Sequence, residues 1–434
     1  MDQHFDVAII GGGPAGTAAA LTLCKRNDIS VTVLERGAYE QPKVGESLSP
    51  GVRGLLQYLD LWDRFEQEQR LSLLGSEAAW GSDTLGTMDF ILTLHGAGWA
   101  LDRQRFEQMM ADEVLHRGVA LQTDVTVTAC RHQDGLWHLD LGGRHITARY
   151  VIDAAGRTSR FSLRDGAHRQ RNDTLTAIST RLPRAQGTQQ MTRVEAFEDG
   201  WWYAAPLPSD QTIVCLFSDA ERIHALRLTD PTVWASHLSQ TRHIRQLIGD
   251  IDNCLSLETL PAFSSLLSRS DPNLPMVAAG DAIAARDPLS SSGIPNAIGG
   301  GIQAARVAAD WLFGTGTLKP AYLDGVAQDH AAYLKTHWST YRTESRWSNA
   351  PFWRFRSAQV CRGPSATIRS KSNGHRSIFV PSHVARWIAD TAKHPMSQIE
   401  VVQQARSTFP DIPDERLLLA IEDLTHIADT VPTA

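Results

Sequence analysis

The stretch FDVAIIGGGPAGTAAALTLCKR, residues 5–26, decides the fold of this 434-residue chain. It reads as a short buried strand, a glycine-rich turn and a helix of small residues. A second apolar strand ends at Glu35, 19 positions after Gly16, and Arg36 follows it. This order of strand, G-x-G-x-x-G turn, helix and late acidic residue is the dinucleotide-binding fingerprint. The sequence therefore predicts a Rossmann-like domain in which Glu35 and Arg36 lie beside the adenosine ribose.

The residues of the glycine-rich turn are expected to have separate structural roles. Gly11 permits the tight turn, and Gly13 lets backbone amides approach a pyrophosphate. Gly16 allows the helix to pack closely on the strand. Pro14 and Ala15, which open the helix, complete the predicted pyrophosphate site.

The composition limits which other functions are open to the chain. Its 42 basic and 48 acidic side chains give a net charge of −6, which offers no general attraction for nucleic acid. Its five cysteines form no CxxC pair, so neither a zinc site nor a disulfide framework is indicated. Only residues 1–4 precede the first strand, and no uncharged run reaches the roughly 18 residues of a membrane span. We expect a cytoplasmic protein without a metal, a nucleic-acid partner or stable membrane insertion.

A later segment, PMVAAGDAIAARDPLSSSGIPNAIGG (residues 275–300), indicates which dinucleotide is bound. It reads as a strand, an acidic turn, a Pro/Ser/Gly loop and the start of a helix. Free amides at a helix start favour the negative charge of a reduced flavin. The segment resembles the second FAD fingerprint of the flavoprotein monooxygenases. The resemblance implies FAD as cofactor, with Asp281 on the ribityl chain and Ser292, Gly293 and Ile294 at the flavin.

Further matches occur in family order from residue 1 to about 330. They resemble the two-domain FAD monooxygenases of the p-hydroxybenzoate hydroxylase fold. This resemblance implies that Arg103 contacts the cofactor, that the backbone of Val125 receives the adenine, and that Gly156 contacts the flavin. Single-component members place an aspartate directly before that glycine, whereas Asp153 is displaced here by two residues. We therefore expect a separate flavin reductase or another external reductant.

The resemblance also implies an arrangement of domains. The expected fold class is α/β, a Rossmann-like FAD-binding domain with an inserted β-sheet substrate domain and a mostly helical C-terminal region. The expected bounds are residues 1–72, 99–170 and 262–330 for the FAD-binding domain, 73–98 and 171–261 for the substrate domain, and 331–434 for the C-terminal region.

Two shorter matches are similar to the flavin-dependent halogenases. The loop VGES, residues 44–47, resembles their early Gly-Glu loop, which implies that Glu46 and Ser47 lie beside the flavin and Pro288 at its edge. The strand GWWYAAP, residues 200–206, resembles their Gly-Trp-x-Trp-x-Ile-Pro signature.

That aromatic strand has two interpretations. Trp201, Trp202 and Tyr203 are candidate walls of an aromatic substrate pocket. Alternation along a strand would equally place Trp201 and Tyr203 on one face and Trp202 on the other as ordinary core residues. Both interpretations remain open from the sequence.

The residues that the halogenases use for halogen transfer are absent from the matching positions. No lysine occurs between residues 51 and 100, and Ser76 stands where that lysine would be. Ser290 stands where tryptophan halogenases have a glutamate. We therefore predict hydroxylation of an indole or phenol through a flavin C4a-hydroperoxide. None of the 16 histidines can be singled out as a general base.

The C-terminal region suggests a large substrate. Residues 347–388 contain no Asp or Glu but several arginines and lysines, with Gly, Pro and Ser interruptions. Such runs are usually solvated faces, but a basic loop can also dock an acidic peptide or protein. In this architecture the chain resembles the flavoprotein monooxygenases of tryptophylquinone cofactor biogenesis, such as the one that serves quinohemoprotein amine dehydrogenase. That resemblance implies a protein- or peptide-bound tryptophan as the preferred substrate. The alternatives are a halogenase with a lysine from elsewhere, a geranylgeranyl-reductase-type flavin enzyme, and a nonenzymatic FAD-binding protein.

Overall fold

The computed structural model describes residues 3–41, 43–68, 71–90, 96–163, 167–251, 255–268, 270–357, 367–370, 377, 380–393, 396–412, 416–417, 420–421 and 424–427. Its helices are α1 (Pro14–Leu23), α2 (Arg53–Tyr58), α3 (Trp62–Gln67), α4 (Arg103–His116), α5 (Ala220–Ala225), α6 (Pro231–Ser239), α7 (Gly293–Phe313), α8 (Leu318–Arg342), α9 (Pro351–Ser357), α10 (Ser382–Thr391) and α11 (Gln398–Thr408). Its strands are β1 (Gln3–Ile10), β2 (Val31–Leu34), β3 (Ser47–Leu48), β4 (Leu71–Leu73), β5 (Gly75–Ala79), β6 (Gly86–Asp89), β7 (Gly98–Ala100), β8 (Ala120–Gln122), β9 (Ala129–Gln133), β10 (Leu136–Asp140), β11 (His145–Asp153), β12 (His168–Arg171), β13 (Leu175–Pro183), β14 (Met191–Phe197), β15 (Gly200–Pro206), β16 (Gln211–Asp219), β17 (Glu258–Pro261), β18 (Ser265–Ser268), β19 (Met276–Ala278), β20 (Ala284–Ala285), β21 (Thr367–Ser370), β22 (Met396–Ser397) and β23 (Thr425–Ile427).

The first sheet has the strand order β8-β2-β1-β11-β10-β9, with β19 beside β11. Strand β1 runs parallel to β2 and β11, as in a Rossmann-like sheet. Val7 and Ile9 of β1 pack with the helices α1, α4 and α7, whereas Ala8 and Ile10 pack under strands β9 and β10. Both faces of β1 are therefore covered, which explains why its sequence is continuously apolar rather than alternating. The predicted α/β fold class is confirmed.

Helices α1 and α7 come together at small residues. A Cβ atom placed on Gly301 would lie 2.1 Å from the carbonyl oxygen of Ala15. A side chain at position 301 would therefore push the two helices apart. This close approach brings the start of α7 and the glycine-rich turn to the same edge of the sheet.

The second sheet has the order β17-β13-β16-β15-β14-β5-β6. Strands β5 and β6 come from residues 75–89, although their sheet neighbours lie between residues 175 and 261. Strand β14 pairs with β5 in parallel, and the other pairs in this sheet are antiparallel. One face of the sheet packs on aromatic residues of α8 and α9, and the other packs on α6. Two distant chain segments thus share one sheet.

The C-terminal region is mostly helical and has its own apolar cluster. Residues of α10 and α11 form the centre of that cluster, together with Phe355 of α9. A small sheet of β21, β22 and β23 lies in the same region. Much of the predicted basic loop, including residues 358–366 and 371–376, lies outside the described residues.

Among the described residues, no helix is both long enough and apolar enough to span a membrane.

Candidate active site

The glycine-rich turn at the end of β1 has the geometry that its sequence predicts. Gly11 has a φ of +104°, and a Cβ on it would lie 2.4 Å from the carbonyl oxygen of Ala154. A Cβ on Gly16 would lie 1.8 Å from the carbonyl oxygen of Gly11. Nothing lies within 4 Å of the corresponding Cβ position on Gly13. The turn is therefore closed beneath the helix and open above Gly13, where a pyrophosphate fits.

Glu35, at the end of β2, is fixed against this turn. One carboxylate oxygen accepts the Gly12 amide at 2.6 Å, and the other accepts the Gly37 amide at 3.0 Å. Arg36 is exposed beside it. The amide of Val125 donates to the Glu35 carbonyl at 2.9 Å, which fixes Val125 beside Glu35. A carboxylate has about four lone-pair sites, so Glu35 keeps acceptor capacity for ribose hydroxyls.

Asp281 follows strand β19 and lies beside Arg157, the residue after Gly156. Nothing lies within 4 Å of the Cβ position on Gly156. The Arg157 guanidinium donates to one oxygen of Asp281 through Nε at 3.2 Å and Nη2 at 3.1 Å. The sequence did not indicate Arg157, because an arginine in a loop is ordinarily solvated. Arg157 orients Asp281 and leaves its second oxygen for a hydroxyl group.

This arrangement predicts the behaviour of one variant. Asp281→Asn should weaken FAD binding about 10-fold, because a charge-assisted hydrogen bond contributes roughly 1.5–3 kcal/mol and the amide keeps part of it. Fluorescence titration of the apoprotein with FAD measures the change. Asp324→Asn, at an exposed position of α8, is the matched control and should leave the affinity unchanged. Equal affinities for both variants would contradict the assigned role of Asp281.

Asp153, the displaced aspartate, holds the turn that carries Gly156. It is fully buried and accepts hydrogen bonds from the Ser159 hydroxyl at 2.8 Å and the Ser162 amide at 3.1 Å. It also accepts the Ala155 amide at 3.1 Å. Asp153 therefore shapes this turn from inside the protein.

The VGES loop is held by Arg103 of α4. The Arg103 Nη1 group donates to the carbonyl oxygens of Val44 at 3.0 Å and Gly45 at 3.2 Å. Its Nη2 group pairs with Glu107, which also binds the Lys43 ammonium at 2.5 Å. Arg103 Nε is buried without a hydrogen-bond partner. Arg103 is thus a fixed cation at the loop, and the Lys43 amine is already ion-paired.

Glu46, in the same loop, is buried and only partly satisfied. The side chain of Glu46 is 2% exposed, and its Oε2 atom accepts the Gly45 amide at 2.9 Å. Its Oε1 atom has no hydrogen-bond partner. Burial raises the pKa of Glu46 to about 7, although the Gly45 amide and the charges of Arg103 and Arg181 oppose that shift. Glu46 therefore changes protonation near neutral pH.

The three aromatic residues of β15 occupy different environments. Trp201 and Trp202 are each 1% exposed and pack in the cores on opposite faces of the sheet. Trp201 stacks on Phe217 with ring centroids 3.9 Å apart, and Trp202 contacts Trp234 at 5.1 Å. Tyr203 alone among the three keeps exposed surface. The core interpretation describes both tryptophans, whereas Tyr203 is half-buried at the edge of the same cluster as Trp201.

The loop before α7 is anchored from beneath by Asp287. Its Oδ2 atom accepts the Tyr341 hydroxyl at 2.8 Å, and its backbone amide donates to the Tyr333 hydroxyl at 2.8 Å. The Trp201 indole donates to Tyr341 at 2.8 Å, so this buried chain connects the loop to β15. Burial raises the pKa of Asp287. Pro288 and Ser290 are exposed above this anchor, and α7 begins at Gly293.

Two loops and the sheet meet at one apolar cluster. Val44 of the VGES loop, Leu289 of the loop before α7, and Trp80 pack against the same cluster as Tyr203. Strand β14 connects Tyr203 to β5, because Tyr203 pairs with Val194 and Val194 pairs with Ala78. Ser76 and Ala78 therefore lie on the Tyr203 face of β5. This face is the candidate substrate side of the site.

Within the described ranges, no group of three or more His, Cys, Asp or Glu side chains could hold a metal ion. The residues that are present fit FAD, given the open space above Gly13 and Gly156 and the partnerless polar atoms of Arg103 and Glu46.

Comparison with known proteins agrees with this geometry. The family described as tryptophan halogenase matches residues 6–82 and 86–377. LodB of Marinomonas mediterranea, assigned as an FAD-dependent oxidoreductase, is 29% identical over 367 residues, which cover 82% of this chain and 98% of LodB. The flavin-dependent halogenase rdc2 of Metacordyceps chlamydosporia is 24% identical over 342 residues, covering 70% of this chain and 64% of rdc2.

Two solved structures share the fold at low sequence identity. The myxobacterial chondrochloren halogenase CndH has a TM-score of 0.74 and 21% identity, covering 83% of this chain and 87% of CndH. QhpG, a peptidyl tryptophan dihydroxylase essential for tryptophylquinone cofactor biogenesis, has a TM-score of 0.64 and 20% identity, covering 85% of this chain and 83% of QhpG.

Proposed function

The chain belongs to the tryptophan halogenase family of FAD-dependent oxidoreductases, and from that premise we propose that it transfers oxygen to an electron-rich aromatic ring. The observation that carries the proposal is the composition of the substrate side. Strand β5 presents Ser76 and Ala78 on the Tyr203 face, so this strand offers no amine to hold an oxidised halogen.

Two further contacts support oxygen transfer. The Ser290 hydroxyl donates to the Asp287 carbonyl oxygen at 2.9 Å and lies 2.9 Å from the Ser292 hydroxyl, at the position where tryptophan halogenases have a carboxylate. The nearby Lys43 ammonium is bound to the Glu107 carboxylate at 2.5 Å. This ion pair commits the Lys43 side chain to Glu107 rather than to an oxidised halogen.

The protein's own contribution is to position the ring and exclude water. Reduced FAD supplies the activation of oxygen when it is bound. Val44, Leu289, Trp80 and Tyr203 pack against one apolar cluster where the two loops meet the sheet. An aromatic ring held there loses its translational freedom and is shielded from water, which are the main sources of rate enhancement for such a transfer.

We further propose that the ring is a tryptophan in a protein or peptide. QhpG, which shares the fold, acts on a peptidyl tryptophan. Residues 347–388 contain no acidic side chain, so the basic residues of this segment other than Arg356, which is buried against Asp219, complement an acidic polypeptide. Electrons would come from a separate flavin reductase, because Asp153 is committed to the Ser159 and Ser162 contacts of its own turn.

Halogenation is the second candidate, and the names of the relatives favour it. Both rdc2 and CndH are halogenases. The two reactions share reduced flavin and oxygen and differ in whether oxygen or halogen reaches the ring. One experiment can therefore separate them.

The experiment supplies one enzyme preparation with the reagents for both oxygenation and bromination. Holoenzyme, a flavin reductase, NADH, oxygen and bromide are incubated with an acidic tryptophan peptide, and free tryptophan is run in parallel. Mass spectrometry is expected to find added oxygen on the peptide. A bromine isotope pair would establish the halogenase instead, and hydrogenation of a prenyl lipid without oxygen consumption would establish a geranylgeranyl-reductase-type enzyme.

A further inference from the structure

The segment between the end of β2 and the VGES loop contains a tyrosine that reaches back into the glycine-rich turn. The hydroxyl of Tyr39 donates to the carbonyl oxygen of Gly12 at 2.9 Å. We propose that Tyr39 is a positioning residue of the nucleotide site and that it fixes the Gly13 amide for the pyrophosphate of FAD. This role is the same for oxygen transfer and for halogen transfer, because both reactions use reduced flavin.

The first support is that Gly12 is held at both ends. Its amide donates to the Glu35 carboxylate at 2.6 Å, and its carbonyl oxygen accepts the Tyr39 hydroxyl. The peptide bond between Gly12 and Gly13 is trans. In a planar trans peptide, the carbonyl of one residue and the amide of the next point in opposite directions. Tyr39 therefore fixes the direction of the Gly13 amide by holding the Gly12 carbonyl.

The second support is the presence of glycine at position 12. The dinucleotide fingerprint requires glycine at the positions of Gly11, Gly13 and Gly16, but it accepts other residues between the first two. A Cβ atom on Gly12 would lie 2.1 Å from the phenol oxygen of Tyr39. The Tyr39 hydroxyl thus occupies space that only a glycine leaves free.

The third support is the backbone of Tyr39. Its φ is +61°, in the left-handed region that a tyrosine rarely adopts. A plain turn would be served better by glycine or asparagine at this position. Residues held in such conformations cluster at ligand sites, where the surrounding contacts maintain them. Burial, together with the charges of Glu35 and Glu107, raises the pKa of Tyr39, so its phenol keeps the proton that it donates.

Tyr39→Phe tests this role, because phenylalanine keeps the buried ring and removes only the hydroxyl. Dilution of the holoenzyme, followed by the fluorescence of the released flavin, measures the dissociation of FAD. We expect FAD affinity to fall about 10-fold, because the hydrogen bond that fixes the peptide between Gly12 and Gly13 is lost.

Tyr322→Phe is the matched control. The hydroxyl of Tyr322, in α8, donates to the carbonyl oxygen of Ala278 at 2.9 Å, and this bond lies outside the glycine-rich turn. Urea unfolding should show a comparable loss of stability in the two variants, because each leaves one carbonyl without its donor. FAD affinity should fall only in Tyr39→Phe.

Phosphorus-31 NMR of the FAD-saturated protein gives a readout that a merely structural role would not move. The two phosphorus resonances of bound FAD report on the hydrogen bonds that the pyrophosphate accepts. We expect them to shift in Tyr39→Phe, because the Gly13 amide is no longer held in one direction. They should stay in place in Tyr322→Phe.

Tyr39→Asn is the second variant, for the case in which the phenylalanine protein does not fold. Asparagine adopts a left-handed backbone more readily than tyrosine, but its amide is too short to reach the Gly12 carbonyl. It should show the same loss of FAD affinity and the same phosphorus shift. Unchanged FAD affinity in a folded Tyr39 variant overturns the assigned role. An equal loss of affinity in Tyr322→Phe, or phosphorus resonances that do not move, also overturns it.

Discussion

Gly16→Val is expected to give a protein that retains almost no FAD. A Cβ at position 16 would lie 1.8 Å from the carbonyl oxygen of Gly11, and 3.3 Å from a methyl group of Ile9. The neighbour is backbone rather than a flexible side chain, so α1 must move away from β1. That movement displaces the open turn at Gly13. We expect FAD affinity to fall at least 100-fold and the free energy of unfolding to fall by about 1–3 kcal/mol.

The measurement is the ratio of flavin absorbance to protein after gel filtration, with urea unfolding of the same samples. Gly54→Ala is the matched control, because Gly54 lies exposed in α2 with nothing within 4 Å of its Cβ position. An alanine there should stabilise the helix by roughly 0.5–1 kcal/mol and leave the flavin ratio unchanged. A Gly16→Val protein with a full flavin ratio would disprove the steric argument.

The nucleotide turn could be predicted from sequence because the contact between Gly16 and Gly11 lies within the turn itself. Gly11 also meets Ala154, which is remote in sequence, and only the structure shows that contact. The contact within the turn leaves a fixed spacing in the sequence. That turn and the continuously apolar strand β1 before it together predict the α/β fold class, which is confirmed.

The substrate side could not be predicted in the same way. The alternation of β15 shows that Trp201 and Trp202 face opposite directions, but not that each direction is a packed core. That depends on α6, α8 and α9, which come from chain segments far apart. The pairing of β5 with β14 is equally remote, and it alone places Ser76 and Ala78 beside Tyr203.

Glu46 and Arg157 show the same limit for charged residues. The sequence placed Glu46 beside the flavin by resemblance and gave no sign of its burial. The groups that interact electrostatically with it include Arg181 of β13 and Cys215 of β16, which are far away in sequence. The Arg157 contact to Asp281 joins residues 124 positions apart. Protonation and pairing therefore become visible only when the tertiary packing is known.

Family membership and the side chains of the site point to different reactions, halogen transfer and oxygen transfer. Family membership alone favours halogenation, since the relatives rdc2 and CndH are named for it. Ser76 and Ser290, which stand where the halogenases have a lysine and a glutamate, favour oxygen transfer by the same flavin. A family can keep its cofactor chemistry while the residues that direct the activated oxygen change, because fold does not determine function.

Arg356→Ala is expected to cause the largest loss of stability among these variants. Arg356 of α9 is 1% exposed, and its two terminal nitrogens each donate to an oxygen of Asp219 at 2.8 Å. Its guanidinium also lies 3.8 Å from the centre of the Phe352 ring. Burial alone would raise the pKa of Asp219, but Arg356 holds it below its usual value. Removing Arg356 leaves the buried Asp219 carboxylate with the Thr174 hydroxyl at 3.2 Å and the charge of Arg416, and breaking a buried ion pair typically costs about 3–5 kcal/mol.

The pH dependence identifies the cause of this loss. In the wild type, the pair stabilises the fold above the ordinary pKa of aspartate, 3.8, and this stabilisation is lost as the pH falls through the lowered folded value. In Arg356→Ala the Asp219 pKa should be raised instead, so stability should fall as the pH rises past 3.8. Urea unfolding from acid to neutral pH measures both trends. The double variant Asp219→Asn/Arg356→Met should recover much of the loss, since it buries no charge.

Arg386→Ala, at an exposed position of α10, is the matched control and should change stability by less than about 0.5 kcal/mol. If Arg356→Ala cost no more than this control, other contacts would hold the C-terminal region to the second sheet. These are the packing of Trp353 and Phe352 in the cluster that they share with Trp201, and polar contacts such as that of Arg416 with Thr174. A large, pH-dependent loss shows instead that the Arg356–Asp219 pair holds α9 against the end of β16.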